Sequence, residues 1–424
     1  MLQITHKIRR KLVALWLVLA LSSGPLAAQT ITVTSSDELS RLARELRGGE
    51  TILLQPGIYE SFSVRGGDAN PAFSKPVTIK SANPSKQATL KNVSLVRTGN
   101  LHFENLHFKY DYEPGRGVRE PRPFYFQQVR DISVEGSIFE GDIATGGGPL
   151  VKGFAIGKGL VVRGGRNIRV EENEFFHWFA GAAFHHIDGL VFRANEVHSI
   201  RSDGVNCSEM RSALIANNYI HDFRPSTRSK DHRDMIQCWS TNTSRYMDGL
   251  TIEGNILNSG TGAFTQSIFL RNEVVDKKER GNSFFYRNLT IRNNVVINAH
   301  RHGLFIGQTD GLVVENNTIV RTRRGAGRRN EPKIYIPAMT IRPDSRNVVV
   351  RGNIVSEIEG YGRQPDWQVA QNLFVQDEFP FRPNHYDSIF VSPPGSNIAK
   401  VGDFKLRKDG KLAGQAIGAP ALRR

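Results

Sequence analysis

Short runs of alternating apolar and polar residues recur along the chain, each ended by an asparagine turn. Ile168-Arg169-Val170-Glu171 leads into Glu172-Asn173, and Leu190-Val191-Phe192-Arg193 leads into Ala194-Asn195. The same pattern returns before Asn218, Asn255, Asn294, Asn317 and Asn353. Alternation with a period of two predicts strands that bury one face. Successive turn asparagines lie 22, 23, 37, 39, 23 and 36 residues apart. Repeats of this period are stacked units that share a core. The short spacings fit one coil, and the long ones fit a coil plus a loop of about 14 residues. Leucine-rich repeats are the competing architecture, but their fixed leucine spacing and helical return segment are missing. The pattern predicts an all-β, single-domain right-handed parallel β-helix. Asparagine suits the turns because it tolerates left-handed backbone and bonds locally. Stacked asparagines could also bond to one another.

The ends predict closing elements. Ser35 and Glu38 have capping-box spacing, and Leu39, Leu42 and Leu46 share one helical face. This helix is expected to plug the open first coil. Residues 29–360 read as coils, and 361–424 as C-terminal coils and a cover segment. Residues 1–28 carry a basic stretch, His6-Lys7-Ile8-Arg9-Arg10-Lys11, then ten apolar residues from Leu12 to Leu21 and a small-residue site at Leu26-Ala27-Ala28. Ten residues are too few to span a bilayer comfortably, so a cleaved signal peptide is expected. A secreted or periplasmic monomer follows, without membrane insertion after cleavage.

The strands after the turns align into columns. Six comparable segments are Gly181–Phe184, Gly204–Cys207, Met235–Cys238, Ser267–Leu270, Gly303–Ile306 and Ala338–Ile341. Ala182, Val205, Ile236, Ile268, Leu304 and Met339 form one inward column. Phe184, Cys207, Cys238, Leu270, Ile306 and Ile341 form another. Outward columns hold Ala183, Asn206, Gln237, Phe269, Phe305 and Thr340, then His185, Ser208, Trp239, Arg271, Gly307 and Arg342. At the strand entrance stand Ala180, Asp203, Asp234, Gln266, His302 and Pro337. Neighbouring coils lie ~4.8 Å apart, so Asp203 and Asp234 are expected side by side, with His302 two coils on.

Charge adds a partner. The chain carries +15, of which the signal segment contributes Lys7, Arg9, Arg10 and Lys11, leaving +11. A basic surface favours a polyanion. For an exported chain an acidic polysaccharide fits better than nucleic acid. The loop before Asp234 is basic through Arg224, Arg228, Lys230 and Arg233. A second basic loop carries Arg321, Arg323, Arg324, Arg328 and Arg329.

These columns define candidate chemistry. Adjacent carboxylates at Asp203 and Asp234 repel, which splits their pKa values and suits acid–base or nucleophilic work. His302, Lys230 and His232 are candidate acids or bases. Arg271 is a candidate to neutralise a substrate carboxylate. Asn206, Arg233, Gln237, Trp239, Gln266, Arg301 and Arg342 are candidate substrate-binding residues. Calcium at Asp203 and Asp234 is the candidate metal. His177, His185 and His186 form no tight ligand motif. Cys207 and Cys238 fall opposite each other in an inward column, where a disulfide and two packed thiols both fit.

Gly48-Gly49-Glu50-Thr51-Ile52-Leu53-Leu54-Gln55-Pro56-Gly57-Ile58-Tyr59 and Lys75-Pro76-Val77-Thr78-Ile79-Lys80-Ser81-Ala82-Asn83-Pro84 resemble the N-terminal part of polysaccharide lyases of the chondroitinase B and alginate lyase kind. Asp403-Phe404-Lys405-Leu406 and Ala416-Ile417-Gly418-Ala419 look like the closing segment of the same superfamily. The resemblance implies a carbohydrate-active β-helix. The Lys/Arg catalytic pattern of that family has no counterpart in the middle of the chain. Cleavage of a uronate-containing polysaccharide by β-elimination is the leading expectation. Ser202-Asp203-Gly204 and Arg301-His302-Gly303 faintly resemble polygalacturonase motifs, which makes a glycoside hydrolase using Asp203 and Asp234 one alternative. His302-Gly303-Leu304-Phe305-Ile306 is loosely similar to alginate epimerases, which makes a C5-epimerase another. A non-catalytic polysaccharide-binding protein is the third.

Overall fold

In the computed structural model, which describes residues 29–67, 72–226, 228–260, 265–323, 335–395 and 397–423, the alternating runs are short strands stacked in parallel. The expected signal peptide, and Arg324, Arg328 and Arg329 of the second basic loop, lie outside the described residues. Three parallel sheets wind together as a β-helix. The first two merge where long strands bend between them. Phe124–Glu135 pairs through its first half with Val93–Val96 and through its second half with Gly99–Glu104. Lys158–Glu171 and Ala180–Arg193 bend in the same way. A third sheet of twelve short strands, from Ile58–Tyr59 to Leu373–Phe374, closes each coil.

Burial follows the alternation. Both inward columns have the predicted register, and their side chains are buried. Phe108, Phe139 and Phe175 stack on successive coils with ring centroids 4.4 Å apart. Cys207 and Cys238 are in register and buried, and both are free thiols. One entrance position differs from the expected column. His302 pairs with Ala338, not with the position of Pro337, because the ladder shifts register between His302 and Leu304.

The asparagines form a continuous ladder between the second and third sheets. Each Oδ1 accepts the backbone N–H of the preceding rung, at 2.9–3.1 Å from Asn173 to Asn372. Each of these side chains also donates to a backbone carbonyl, as Asn255 does to Ile215 at 2.9 Å. The left-handed backbone sits one residue earlier, at Glu172, Ala194, Asn217, Gly254, Asn293, Asn316 and Gly352. The ladder asparagine thus supplies hydrogen bonds, while its predecessor makes the turn.

A second ladder carries charge. Arg166, Asp188, Arg211, Asp248, Arg287, Asp310 and Arg346 occupy one column of the second sheet, alternating in sign through seven coils. The helix Ser36–Glu45 begins where the Ser35 hydroxyl accepts the Glu38 N–H at 3.3 Å, and Leu39 and Ala43 pack into the core. At the other end, Tyr386, Phe390, Phe404 and Leu422 pack with Val295, Ile297 and Val320 of the third sheet. Among the described residues no helix is long and apolar enough to cross a membrane.

Candidate active site

The entrance column of the first sheet runs Arg122, Lys158, Ala180, Asp203, Asp234, Gln266 and His302. Glycine follows four of these residues, and at three of them the reason is a close carbonyl oxygen. A Cβ on Gly159, Gly181 or Gly204 would lie 2.4, 2.6 or 2.5 Å from the carbonyl oxygen of the next coil. Asp203, Asp234 and His302 do stand on one line, as the alignment predicts. The line begins two coils earlier, with Arg122 and Lys158.

A pocket of about 430 Å³ opens on this face. Its cause is a lack of side chain. Ala180-Gly181-Ala182-Ala183 opens the first-sheet strand of one coil, and Ala180 and Ala183 form the pocket floor. Lys158, Val161 and Arg163 of the preceding coil make one wall. Asp203, Asn206 and Gln237 of the following coils make the other, with Trp239 beside them. Arg119, Arg122, His185 and His232 also line it, as do Phe179, Ser202, Thr241 and Glu273, whose carboxylate accepts the Ser240 backbone N–H at 2.8 Å.

The basic wall is electrostatically unusual. Among the described residues no salt bridge closes on Arg122, Lys158 or Arg163, whereas Arg119 pairs with Asp231 at 3.0 Å. Burial pulls the Lys158 ammonium below its ordinary pKa, and the Arg122 guanidinium adds to that; Asp203 opposes it. Burial likewise lowers His185 to about 4, reinforced by Lys158 and Arg163. His185 is therefore neutral, and its Nδ1 lies 3.0 Å from the Ser208 hydroxyl.

On the opposite wall, burial raises the Asp203 carboxyl, although it accepts from Asn206 Nδ2 at 3.1 Å. Asn206 also donates to Gln237 Oε1 at 2.6 Å and accepts from Trp239 Nε1 at 2.5 Å. The indole of Trp239 is thus fixed at the pocket edge. His232 lies at the rim and is exposed.

Other predicted residues are committed elsewhere. Asp234 is 0% exposed. Its Oδ1 accepts from Gln266 Nε2 at 2.6 Å, and its Oδ2 is buried with no partner among the described residues. Burial, then the neighbouring Asp203, drive its pKa well above the ordinary carboxyl value. The Asp203/Asp234 pair therefore presents one carboxyl to the pocket, not two, and a hydrolase needs two that reach the sugar. The pair is also a poor calcium site. Calcium takes 6–8 oxygens, and no cluster of three or more His, Cys, Asp or Glu suited to a metal occurs among the described residues.

The arginines expected to bind substrate are engaged elsewhere. Arg271 and Arg342 both clamp Asp276, at 2.9 Å each. Arg301 pairs with Glu357 and Glu359. Arg233 is buried and donates to the carbonyls of Ser226 and Ser229, which fixes the loop. Lys230 is exposed and does not line the pocket. Gln266 joins Asp234 to His302 by contacting His302 Nδ1. His302 lies outside the pocket.

The residues missed by the sequence reading are Arg119, Arg122, Lys158, Arg163 and His185 as part of the pocket. Their signal was present. Lys158-Gly159-Leu160-Val161-Val162-Arg163 matches Ala180-Gly181-Ala182-Ala183-Phe184-His185 position for position.

A family model described as right-handed beta helix region matches residues 153–379. No curated protein matches the chain by sequence. Among solved structures, the surface protein and adhesin PfbA of Streptococcus pneumoniae is 12% identical, with a TM-score of 0.50 over 80% of this chain and 92% of that one. An alginate lyase from Paenibacillus sp. str. FPU-7 is 13% identical, with a TM-score of 0.39 over 82% of this chain and all of that one. At these identities the similarity concerns the fold.

Proposed function

The chain belongs to the right-handed beta helix family, and from that premise we propose that its basic pocket cleaves a uronate-containing polysaccharide by β-elimination. One observation carries this reading. Arg122, Lys158 and Arg163 converge on a single pocket without a carboxylate partner among the described residues, so an anion from outside would complete the site.

The chemistry follows from the two walls. Arg122 and Arg163 neutralise the uronate carboxylate, which acidifies the C5 proton and stabilises charge that builds on the carboxylate. Lys158 is the base, because its lowered pKa makes the neutral amine accessible. Its Nζ takes the C5 proton, a C4–C5 double bond forms and the C4–O4 bond breaks. Asp203, which burial helps to keep protonated, gives its proton to O4. Trp239 packs on a sugar ring. An exported location, expected from residues 1–28, suits a polymeric substrate.

A C5-epimerase is the second reading, favoured by Lys158 and Asp203 standing on opposite sides of the trough. There Asp203 would return a proton to the other face of C5 without cleavage. A screen of acidic polysaccharides, reading ultraviolet absorbance of unsaturated ends, tests the first reading. The wild type is expected to raise absorbance on at least one uronate polymer, and Lys158→Ala to give none. No rise on any uronate polymer overturns elimination, and altered uronate composition at constant chain length selects epimerisation.

A further inference from the structure

Beyond the basic pocket, the first sheet carries an aromatic shelf. Gln237, Phe269 and Phe305 follow one another in a single outward column, and Gln237 also lines the pocket. Phe269 and Phe305 lie 4.8 Å apart between centroids. His302 stacks on Phe269 at 5.3 Å, and His300 lies 5.0 Å from His302. Phe305, His302 and His300 are all partly exposed.

The shelf differs from the pocket in charge. Its nearby cations, Arg271, Arg301 and Arg342, are each held by a carboxylate. Burial lowers both histidines, His300 to about 4, so neither supplies charge near neutrality. The surface is therefore aromatic and carries no unpaired cation among the described residues; Phe305 and His302 are its accessible rings, backed by the buried Phe269, from which Phe305 is tilted by 32°. It is continuous with the pocket, one to two coils further along the axis at ~4.8 Å per coil. An extended pyranose chain laid along the axis advances by nearly one coil per sugar.

Resting on the lyase reading, the geometry points to the Phe269–His302–Phe305 shelf as a subsite that stacks an uncharged sugar ring of the same polymer chain. The substrate class is thereby narrowed to a heteropolysaccharide that carries neutral sugars beside its uronates. The pocket takes the uronate, where three cations lack partners. The shelf takes the neutral ring, where none does. Stacking of a sugar's axial C–H face on aromatic rings needs no charge and excludes water from the contact.

The test uses neutral probes with the full protein. Xylohexaose, mannohexaose and cellohexaose are titrated by ligand-observed NMR against wild type, Lys158→Ala, Phe305→Ala and Phe305→Leu, with thermal unfolding as the check on folding. Phe305→Leu keeps apolar volume and removes the flat ring. At least one hexaose is expected to bind wild type and Lys158→Ala alike, and about tenfold more weakly to both Phe305 variants, a change of about 1.4 kcal/mol. Binding of none of the three, or binding unchanged in folded Phe305→Leu, overturns the subsite. The absorbance assay on uronate polymers is run in parallel. Loss of elimination there sinks the lyase reading without touching the hexaose result, and neutral-probe failure with elimination intact sinks the shelf alone.

Discussion

Lys158 and Asp203 flank Ala180 in one column, a cation and a carboxyl two coils apart, about 10 Å of backbone. Burial shifts both toward neutrality, Lys158 downward and Asp203 upward. Elimination needs the neutral amine and the protonated acid together, so kcat/KM against pH is expected to be bell-shaped. Asp203→Asn removes the acid and lowers kcat by roughly 10²–10⁴. The remaining activity then only rises with pH, through a Lys158 pKa below the ordinary ~10.4. A descending limb retained in Asp203→Asn would assign it to another group.

The trough exists because the first-sheet strand of one coil opens with four small residues, Ala180 to Ala183. Phe269 and Phe305 occupy the same outward column as Ala183, so that column tolerates a ring. Ala183 is only 1% exposed, so Ala183→Phe should fill the pocket floor at a cost of about 1–3 kcal/mol in unfolding free energy while remaining folded. Uronate oligosaccharide binding, followed by calorimetric titration, should be lost. Unimpaired binding would place the substrate elsewhere.

Asp234 gives the opposite result to that of a hydrolase carboxylate. Its folded pKa is raised, so the folded state holds the proton more tightly than the unfolded state. Stability should therefore fall as pH rises from about 4, the unfolded value, up to the folded pKa. Asp234→Asn should remove its share of this loss, with that of Asp203 remaining, and be more stable than wild type near neutrality. It should keep most elimination activity. Denaturant unfolding across pH 4–8 and the absorbance assay check both halves.

The asparagine ladder sets a stability prediction. Asn255 is 0% exposed, and its Oδ1 accepts both the backbone N–H of Asn218 at 3.0 Å and its side-chain amide at 2.8 Å. Asn255→Ala leaves a buried donor unpaired, which costs about 1–3 kcal/mol for each such group. Asn255→Asp keeps the acceptor and the volume but turns a buried carboxylate toward the Ile215 carbonyl and Asn294 Oδ1, which the native side-chain amide bonds, so it should lose at least as much near neutrality. A clearly smaller loss in Asn255→Asp than in Asn255→Ala, measured by denaturant unfolding, would assign the effect to packing.

The coils were legible in the sequence because one inward side chain in two must be apolar, and a slip of one residue would expose the whole column. Six segments sufficed to place Cys207 beside Cys238 and Asp203 beside Asp234. The partners of charged side chains were not legible. Arg271 and Arg342 read as free until Asp276, from the short helix Glu273–Asp276 outside the repeat, closes on both. Asp234 read as exposed by alternation, but neighbouring coils and Gln266 seal it. Lys158 was visible in principle, one coil before the first aligned segment. Its environment was not, because Arg122 and Arg119 arrive from a loop without the repeat pattern.

The alternating column from Arg166 to Arg346 restricts how coils can stack. From Asp188 to Asp310 each charge lies between two opposite charges on neighbouring strands, and slipping one coil would put like charges face to face. Opposed like charges across strands are destabilising, and opposite ones contribute roughly 0.2–1 kcal/mol. Asp248→Arg would set three cations on successive coils, with Arg211 before and Arg287 after. It also removes the acceptor of Asn288 Nδ2, held at 2.8 Å. Asp248→Asn removes the charge without reversing it and retains an acceptor oxygen, so the difference between the two variants isolates repulsion. That difference should be about 1 kcal/mol at low salt and shrink toward zero near 1 M, where the screening length is about 3 Å. A loss in Asp248→Arg that does not respond to salt would mean that the column holds its coils by packing and hydrogen bonds, with charge order incidental.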